Sequence, residues 1–495
     1  MTARSGPAER MALYSILALV IAATLISRYV VGILVHDQAE LVVYSQTLSW
    51  TYDEQMPVLT WLTTLLLNIT SYFILVPDIV KYAGVVAAVI VIFRMTQTMT
   101  GSGRAGFIAA TAMFLIPTMN EDMLREYTHT ASLIAFSVGS FAFFIGRDGL
   151  RMPTSLVFLA LVWAGGLLSK YTMLLIMAGQ IGAFVFLIRP PRETIVRLLV
   201  AALGAVAIAS PIYLLMVFNQ APVQTGLSEF LATGEGSRRL AGMIDFASSM
   251  LMEGGLMFLA LWIAGSRLGK TSVSRAQPGY GIIRSERFFL VSTAMVLGLF
   301  CVVILVANVD VVRDRWLAPA MIMLAPVAAS WFSRAHGNRT NLLVAVFLGI
   351  WLIAFGTMRA AEPFIDGATG EYSVENHPYT FIADEALVKA AGHDAILSNS
   401  AHFAATLKAR EPRLRVYAPK TQGNIPADAA SILIVSTFTR ADNAIVLGAE
   451  WQCDEEEMRA APLRFARNAT FPYGYQVCHK EYQAGSPAGA PMPPA

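Results

Sequence analysis

Long apolar stretches separated by short polar ones run through the first 360 residues of the chain. The first, Met11 to Val35, is apolar apart from Arg28 and is long enough to cross a hydrocarbon core of roughly 30 Å. Similar stretches follow near 78–97, 104–119, 130–146, 153–169, 171–188, 195–217, 242–265, 288–307, 316–333 and 341–358. Because a crossing needs about 20 apolar residues, the pattern predicts a polytopic α-helical membrane protein with about eleven transmembrane helices.

The segment from Pro57 to Val76 interrupts this series. It is apolar but contains Asn68, Thr70 and Ser71, so we expect a helix that lies along the outer membrane interface. A full transmembrane span is the alternative.

Composition supports the membrane assignment. Hydrophobic residues make up 56% of the 495 residues and charged residues only 14%, and the mean hydropathy is +0.56. A water-soluble globule carries about 25% charged residues, so that class is excluded. The net charge of +2 gives no indication of nucleic acid as a partner.

Lysine and arginine are concentrated in alternate loops, as expected of the cytoplasmic side. These residues are Arg104, Arg147, Arg151, Arg189, Arg192, Arg197, Arg267, Lys270, Arg275, Arg284, Arg287, Arg334 and Arg339. Arg4 and Arg10 hold the start of the first span on the same side, and this span lacks a cleavage pattern, so it is expected to remain as a signal anchor. An odd number of spans then places the C-terminal part outside, in the periplasm.

The chain changes character at about Ala361, where charged residues and short β-rich runs replace the apolar spans. Strands are predicted at Ala395 to Ser398, Arg413 to Tyr417 and Ser431 to Ser436, and helices at Phe381 to Ala391 and Ala401 to Lys408. The sequence therefore divides into a transmembrane domain (1–360) and a small soluble α/β domain (361–484). Residues 485–495 are rich in Pro, Gly and Ala and are predicted to be disordered.

Two of the three cysteines lie in the polar C-terminal part. Cys453 and Cys478 are a candidate disulfide if that part faces an oxidising periplasm, the alternative being two unpaired thiols. Cys301 lies inside an apolar run and is expected to be an inert packed thiol.

Two carboxylates, Asp37 and Glu40, follow the first span on its outer side. They are either ordinary solvated residues at a helix end or part of a site. The outer surface also receives three other charged clusters, 120–129, 169–171 and 310–316. Cations beside carboxylates at headgroup depth suit a phosphate-bearing lipid, since guanidinium grips phosphate bidentately and a carboxylate can take a proton from an attacking hydroxyl.

Each cluster also has a structural interpretation. Lys170 could cap a helix and extend its ammonium group to the interface. Arg313 and Arg315 could pair with Asp310 and Asp314 as a surface cluster. His129 fits a hydrogen-bonded residue at a helix start better than a metal ligand, since the sequence has no second His or Cys at ligand spacing.

The order of these motifs resembles the GT-C superfamily of polyprenyl-phosphate-sugar-dependent glycosyltransferases, which includes the aminoarabinose transferase and protein O-mannosyltransferases. The closest resemblance is to rhizobial lipid A and core galacturonosyltransferases. The residues that fit the first motif are Asp37, Ala39, Glu40, Ser45, Gln46, Trp50, Tyr52, Gln55, Pro57, Leu59, Thr60, Trp61 and Leu62. Three later segments, 125–130, 168–171 and 314–316, are also similar, and the resemblance covers residues 11 to about 360.

The chain departs from the family pattern in two places. Met56-Pro57 stands where the family usually has Pro-Pro, and Gln55 stands where related aminoarabinose transferases have a lysine. Phosphate binding must therefore fall to other cations.

The resemblance implies transfer of one sugar from a polyprenyl-phosphate carrier, with inversion, to lipid A or the lipopolysaccharide core, in the bacterial inner membrane with the site facing the periplasm. Galacturonic acid is the expected sugar. Asp37 and Glu40 would be catalytic, and Lys170, Arg313 and Arg315, with Arg125 as an alternate, would bind the donor phosphate. Residues expected on the sugar or acceptor side are Gln55, Trp50, Tyr52, Trp61, Glu126, Tyr127 and His129.

Several alternatives remain open at this point. The three aromatic residues, Trp50, Tyr52 and Trp61, could stack on sugar or form an interfacial aromatic belt. The acceptor could be a protein or a cell-wall polymer, or the protein could be a transporter or flippase of a lipid-linked substrate. No cofactor is indicated with certainty. Two carboxylates could hold Mg²⁺ or Mn²⁺, but one short spacing leaves the metal unassigned.

Overall fold

The computed structural model describes residues 7–52, 55–126, 128–145, 153–218, 238–268, 280–309, 311–437, 445, 447–448, 450–466 and 469–480. It forms two compact units. The helical unit comprises 1–30, 47–69 and 75–362, and the α/β unit comprises 31–46, 70–74 and 363–495, in both cases over the described residues.

The helices are α1 (Pro7–Val31), α2 (His36–Tyr44), α3 (Val58–Ile69), α4 (Val76–Thr100), α5 (Gly103–Ala112), α6 (Met123–Arg125), α7 (His129–Ile145), α8 (Pro153–Leu167), α9 (Met173–Ile188), α10 (Arg192–Phe218), α11 (Arg238–Leu268), α12 (Tyr280–Ala307), α13 (Ala318–Met321), α14 (Leu324–Ala335), α15 (Asn338–Thr369), α16 (Tyr379–Lys389) and α17 (Ala401–Arg410). Shorter turns are Met113–Leu115, Thr118–Asp122, Asp314–Trp316, Val374–Asn376 and Pro419–Asn424.

Five helices within the described ranges are long and apolar enough to cross a membrane: Pro7–Val31, Val76–Thr100, Arg192–Phe218, Ser285–Ala307 and Asn338–Thr369. The protein is therefore a multi-pass membrane protein. Helices α7, α8 and α9 are apolar but have only 17, 15 and 16 residues, which corresponds to about 23 to 26 Å. The total of eleven spans stays a prediction.

Two predicted spans are broken by proline. The stretch 104–119 is helical as α5 only to Ala112, and the stretch 316–333 divides into α13 and α14. A proline ring clashes with the carbonyl four residues before it. Pro117 and Pro326 place that clash at Met113 and Ile322, where the regular helices stop.

Helix α3 occupies the segment that was expected to lie along the interface. Its 12 residues extend about 18 Å, which is short of the roughly 30 Å of a hydrocarbon core. This length favours the interfacial interpretation over a full span.

The core of the helical unit is built around α4, against which α5 and α7 pack. Gly106 permits the close approach of α5, because a Cβ at this position would lie 2.8 Å from the carbonyl oxygen of Phe93. Any larger residue would push the two helices apart.

A buried group of three charges joins α1 to α4. The Asp78 carboxylate accepts from Arg28 Nε at 3.2 Å and from Lys81 Nζ at 2.7 Å, and all three side chains are at most 4% exposed. Arg28 Nη2 and Lys81 Nζ also lie 3.4 and 3.5 Å from the carbonyl oxygen of Arg125. The Tyr82 hydroxyl donates to the preceding carbonyl, of Leu124, at 2.6 Å. This group, Arg28, Asp78 and Lys81, is called the ion triad below.

The α/β unit contains strands β1 (Ala395–Ser398), β2 (Val416–Tyr417), β3 (Ser431–Thr437), β4 (Trp451–Cys453), β5 (Glu457–Pro462) and β6 (Thr470–Lys480). Their order is β2-β1-β3-β6-β4, with β5 also paired to β6. β1 runs parallel to β2 and β3, and β6 runs antiparallel to β3. The three strands predicted from the sequence are confirmed, with β2 shorter than expected. Cys453 and Cys478 pair across β4 and β6 and are joined by a disulfide bond, and Cys301 is a free thiol.

Both faces of β1 and β3 are buried. Ile396, Leu433 and Val435 contribute to one apolar cluster, and Leu397 and Ile434 contribute to the other. The larger cluster also includes Val31, Ile33, Leu34, Ala39, Val42 and Val43, with Phe73 and Ile74 packed against it. The residues that follow the first span therefore belong to this unit and not to the transmembrane domain in which the predicted boundaries placed them.

His377 is largely buried between the rings of Phe471, at 4.5 Å, and Tyr379, at 5.1 Å. Burial lowers the pKa of its imidazole to about 4. The folded imidazole therefore binds a proton less readily than the unfolded one, whose pKa is about 6.5. The α/β unit should lose stability as the pH falls from about 6.5 to about 4, by up to about 3 kcal/mol.

The measurement is the free energy of unfolding against pH for the wild type and for His377→Phe. The phenylalanine should remove much of this decline because it preserves the ring stacking and cannot be protonated. His336→Phe, in the helical unit, is the matched control. An unchanged pH dependence in His377→Phe would contradict the assignment.

Lys81→Met should lower the stability of the protein by about 3 kcal/mol, because the buried Asp78 carboxylate loses a cationic partner. Thermal unfolding in detergent measures the effect. Lys420→Met is the matched control, since the Lys420–Glu40 pair of the α/β unit is partly exposed and should contribute less than about 1 kcal/mol. Equal losses of stability in Lys81→Met and Lys420→Met would show that burial does not make the ion triad more important for stability than an exposed ion pair.

Candidate functional site

The two acids of the first motif lie on α2, in the α/β unit. Asp37 is half-buried in the first turn of the helix, where the helix dipole stabilises a negative charge. Glu40 lies three residues later, on the same side of the helix. Its Oε1 is 3.4 Å from Nζ of Lys420, on the Pro419–Asn424 turn. Asp37 and Glu40 thus lie on one face of α2, and Lys420 of the same unit lies beside Glu40.

Helix α2 is held in the α/β unit by a second residue of the first motif. The Gln46 amide donates to the carbonyl of Val416 at 2.6 Å and accepts from its N–H at 3.1 Å. It extends the hydrogen bonding of β2, an edge strand of the sheet. At the other end of α2, His402 Nδ1 lies 3.2 Å from the carbonyl oxygen of Leu34. The role of Gln46 is therefore to anchor the helix that carries Asp37 and Glu40.

In the helical unit, three motif segments meet at two side-chain contacts, Gln55 with His129 and Lys170 with Thr130, which together are called the polar cluster below. Gln55 Oε1 is 3.0 Å from His129 Nε2, and Lys170 Nζ donates to Thr130 Oγ1 at 3.3 Å. The main chains of two of these segments also approach each other, because the N–H of Val58 is 3.4 Å from the carbonyl oxygen of Leu168. The Lys170 ammonium group can bind an anion, and the amide and imidazole of the other contact can bind hydroxyl groups.

The aromatic residues of the first motif shape the turn that leads to Gln55. The Tyr52 hydroxyl accepts from the N–H of Ser49 at 2.9 Å and donates to the carbonyl of Thr47 at 3.0 Å. Trp61 Nε1 donates to the carbonyl of Ser49 at 2.7 Å. Tyr52 is 3% exposed and Trp50 is 63% exposed. Tyr52 and Trp61 therefore support the turn, whereas Trp50 offers an open ring surface.

Arg125 belongs to a network of ions with α15. Its Nη1 lies 2.8 Å from Glu362, and its Nε lies 3.8 Å from Glu126. Arg359 bridges Glu362 and Glu121, each at 2.8 Å. Carboxylates thus contact the Arg125 guanidinium directly, and a phosphate would have to replace one of them.

Of the other two expected phosphate ligands, Arg313 directly precedes the Asp314–Trp316 turn and Arg315 lies within it. Arg313 is exposed and Arg315 is half-buried. Tyr127 and Asp310 lie outside the described residues.

Among the residues that the structure describes, no group of three His, Cys, Asp or Glu side chains could hold a metal ion. Mg²⁺ is commonly held by one or two carboxylates together with substrate phosphates and water. A Mg²⁺ or Mn²⁺ ion at Asp37 and Glu40 therefore stays a prediction.

Sequence reasoning missed the ion triad, although this triad fixes the carbonyl of Arg125, the residue that ends α6 and begins the 125–130 motif. The available signal was Arg28 within an apolar run and Asp78 and Lys81 at the start of a predicted span. Charges inside a membrane segment are costly and persist where they have partners.

The comparisons with known proteins identify the fold. No protein-family model matches the chain, and no curated protein sequence matches it. The apo crystal structure of ArnT from Cupriavidus metallidurans is similar with a TM-score of 0.55 and 12% identity, covering 85% of this chain and 92% of that chain. The ArnT structure bound to undecaprenyl phosphate has a TM-score of 0.54 and 13% identity, covering 92% and 97%. The chain therefore shares the fold of these two ArnT structures.

Proposed function

We propose that this protein is an inverting glycosyltransferase that moves one sugar from a polyprenyl-phosphate carrier to an acceptor. The observation that carries the proposal is the polar cluster of Gln55, His129, Thr130 and Lys170, built from three motif segments on a GT-C fold. The bound undecaprenyl phosphate of the similar ArnT structure supports a carrier of the same kind.

In the proposed reaction, Asp37 removes a proton from the acceptor hydroxyl. The acceptor oxygen forms a bond to the anomeric carbon as the bond from that carbon to the phosphate oxygen breaks, and the bonding electrons leave with polyprenyl phosphate. A single displacement inverts the anomeric configuration. Fixed cations stabilise the leaving phosphate, and Lys170, Arg313 and Arg315 are assigned to it, with Arg125 as the alternate. Glu40 orients the acceptor beside Asp37.

Galacturonic acid is proposed as the sugar and lipid A or the lipopolysaccharide core as the acceptor, on the resemblance of the Asp37 to Leu62 motif to galacturonosyltransferases. The basic loops support an inner-membrane orientation with the site in the periplasm. The donor and the acceptor would then both lie among membrane lipids.

Asp37→Asn should lower sugar transfer from a synthetic polyprenyl-phosphate sugar to a lipid A precursor by about 1,000-fold, because an amide cannot accept the proton. The assay uses full-length protein in detergent, with folding verified by thermal unfolding. Asp384→Asn is the matched control, since this exposed acid of the α/β unit pairs with Arg410 and should leave transfer unchanged.

Equal transfer by wild type and Asp37→Asn would remove Asp37 from the mechanism. A donor panel of uronic acid, hexose and aminosugar carriers tests the sugar, and a panel of glycolipid, peptide and glycan acceptors tests the acceptor. Absence of transfer with every pair would contradict the enzyme assignment and favour a transporter of a lipid-linked substrate.

A further inference from the structure

One face of helix α11 carries a series of small and polar residues. Gly242, Asp245, Ser249 and Glu253 are separated by three, four and four positions, so they lie above one another on the same side of the helix. This helix corresponds to the predicted span 242–265, where polar side chains are expected only with partners. Their partners are two loop segments of the helical unit.

The first segment is held at Val312, directly before Arg313. The N–H of Val312 donates to the Asp245 carboxylate, and its carbonyl accepts from the Ser249 hydroxyl at 3.2 Å. Val312 is buried. Both polar groups of its main chain are thus satisfied by α11, which fixes the backbone from which the Arg313 side chain extends.

Gly242 makes this contact possible. A Cβ at this position would lie 2.0 Å from the carbonyl oxygen of Val309, a distance that no side chain can occupy. Glycine therefore lets α11 approach Val309 closely enough for Asp245 and Ser249 to reach Val312.

The second segment is held at Thr118. The Glu253 carboxylate is 2% exposed and accepts from the Thr118 hydroxyl at 2.9 Å and from its N–H at 3.1 Å. Thr118 begins the π-helical turn Thr118–Asp122, which has no side-chain cap of its own. Glu253 supplies the cap from another helix, and the turn leads directly to α6 and Arg125.

We propose that Asp245, Ser249 and Glu253 are positioning residues that hold the segments presenting Arg313 and Arg125 to the phosphate of a polyprenyl phosphate. The inference deepens the proposed function and rests on it for the ligand. Asp245 and Glu253 accept hydrogen bonds from main-chain N–H groups. An amide oxygen in the same place can accept the same hydrogen bonds.

Hydrogen exchange of the full-length protein and its affinity for undecaprenyl phosphate test the proposal. Asp245→Val and Glu253→Met should raise amide exchange at Val312 and Thr118 by about tenfold and weaken lipid binding by about tenfold, since each leaves a main-chain N–H without its acceptor. Asp245→Asn and Glu253→Gln should stay within about twofold of wild type, because they keep an acceptor oxygen.

Two further variants complete the set. Ser249→Ala removes one hydroxyl and is mild enough to fold if Asp245→Val does not. It should also loosen the backbone at Val312. Ser248→Ala is the matched control, because this exposed hydroxyl bonds only within α11, to the carbonyl of Asp245 at 2.8 Å, and should change neither measurement.

Unchanged exchange in Asp245→Val and Ser249→Ala would overturn the holding role. Raised exchange with wild-type lipid affinity would overturn the link to phosphate. Asp245→Asn and Glu253→Gln could raise amide exchange and weaken lipid binding as much as the apolar variants do. The negative charge and not the acceptor oxygen would then be required, and the positioning role would be wrong. Failure of the wild type to bind undecaprenyl phosphate would contradict the proposed function, and the exchange data would still decide whether α11 holds the two segments.

Discussion

The buried Asp78 carboxylate, shared by Arg28 and Lys81, is the interaction on which the helical unit most depends. A charge in an apolar interior is stable only with opposite charges and hydrogen bonds around it. The two cations meet this requirement by binding one carboxylate from two directions and by facing the Arg125 carbonyl oxygen. Since carbonyls at the end of a helix carry partial negative charge, the same cations that join α1 to α4 also fix α6 and the motif that follows it.

Main-chain groups are held by side chains throughout the helical unit. Glu253 caps Thr118, Asp245 and Ser249 hold Val312, and Tyr82 holds Leu124. Loops at the ends of membrane helices have few regular partners, and each unsatisfied buried N–H or carbonyl is costly. Long-range side-chain contacts supply these partners, which gives the loops that carry Arg125 and Arg313 fixed backbones.

The acids of the first motif depend on a different set of contacts. Gln46 continues the edge of the sheet at Val416, and the apolar residues around Asp37 and Glu40 enter the core of the α/β unit. The residues of the first motif therefore divide into two groups. Asp37 and Glu40 are partly buried residues on a helix, whereas Gln46 and Tyr52 support the backbone of the motif.

The sequence by itself determined the class of protein, the approximate positions of the apolar helices and the three strands β1, β2 and β3. These follow from local periodicity and from the solvation of apolar residues, which depend on neighbours in the chain. Proline broke two of the expected spans, a local effect that hydropathy alone does not register. Only the tertiary structure decided that 31–46 joins the α/β unit, that Gln55 meets His129 while Lys170 meets Thr130, and that α11 holds Val312 and Thr118. Each of these depends on hydrogen bonds or packing between residues far apart in sequence, whose spacing along the chain carries no information about their distance in space.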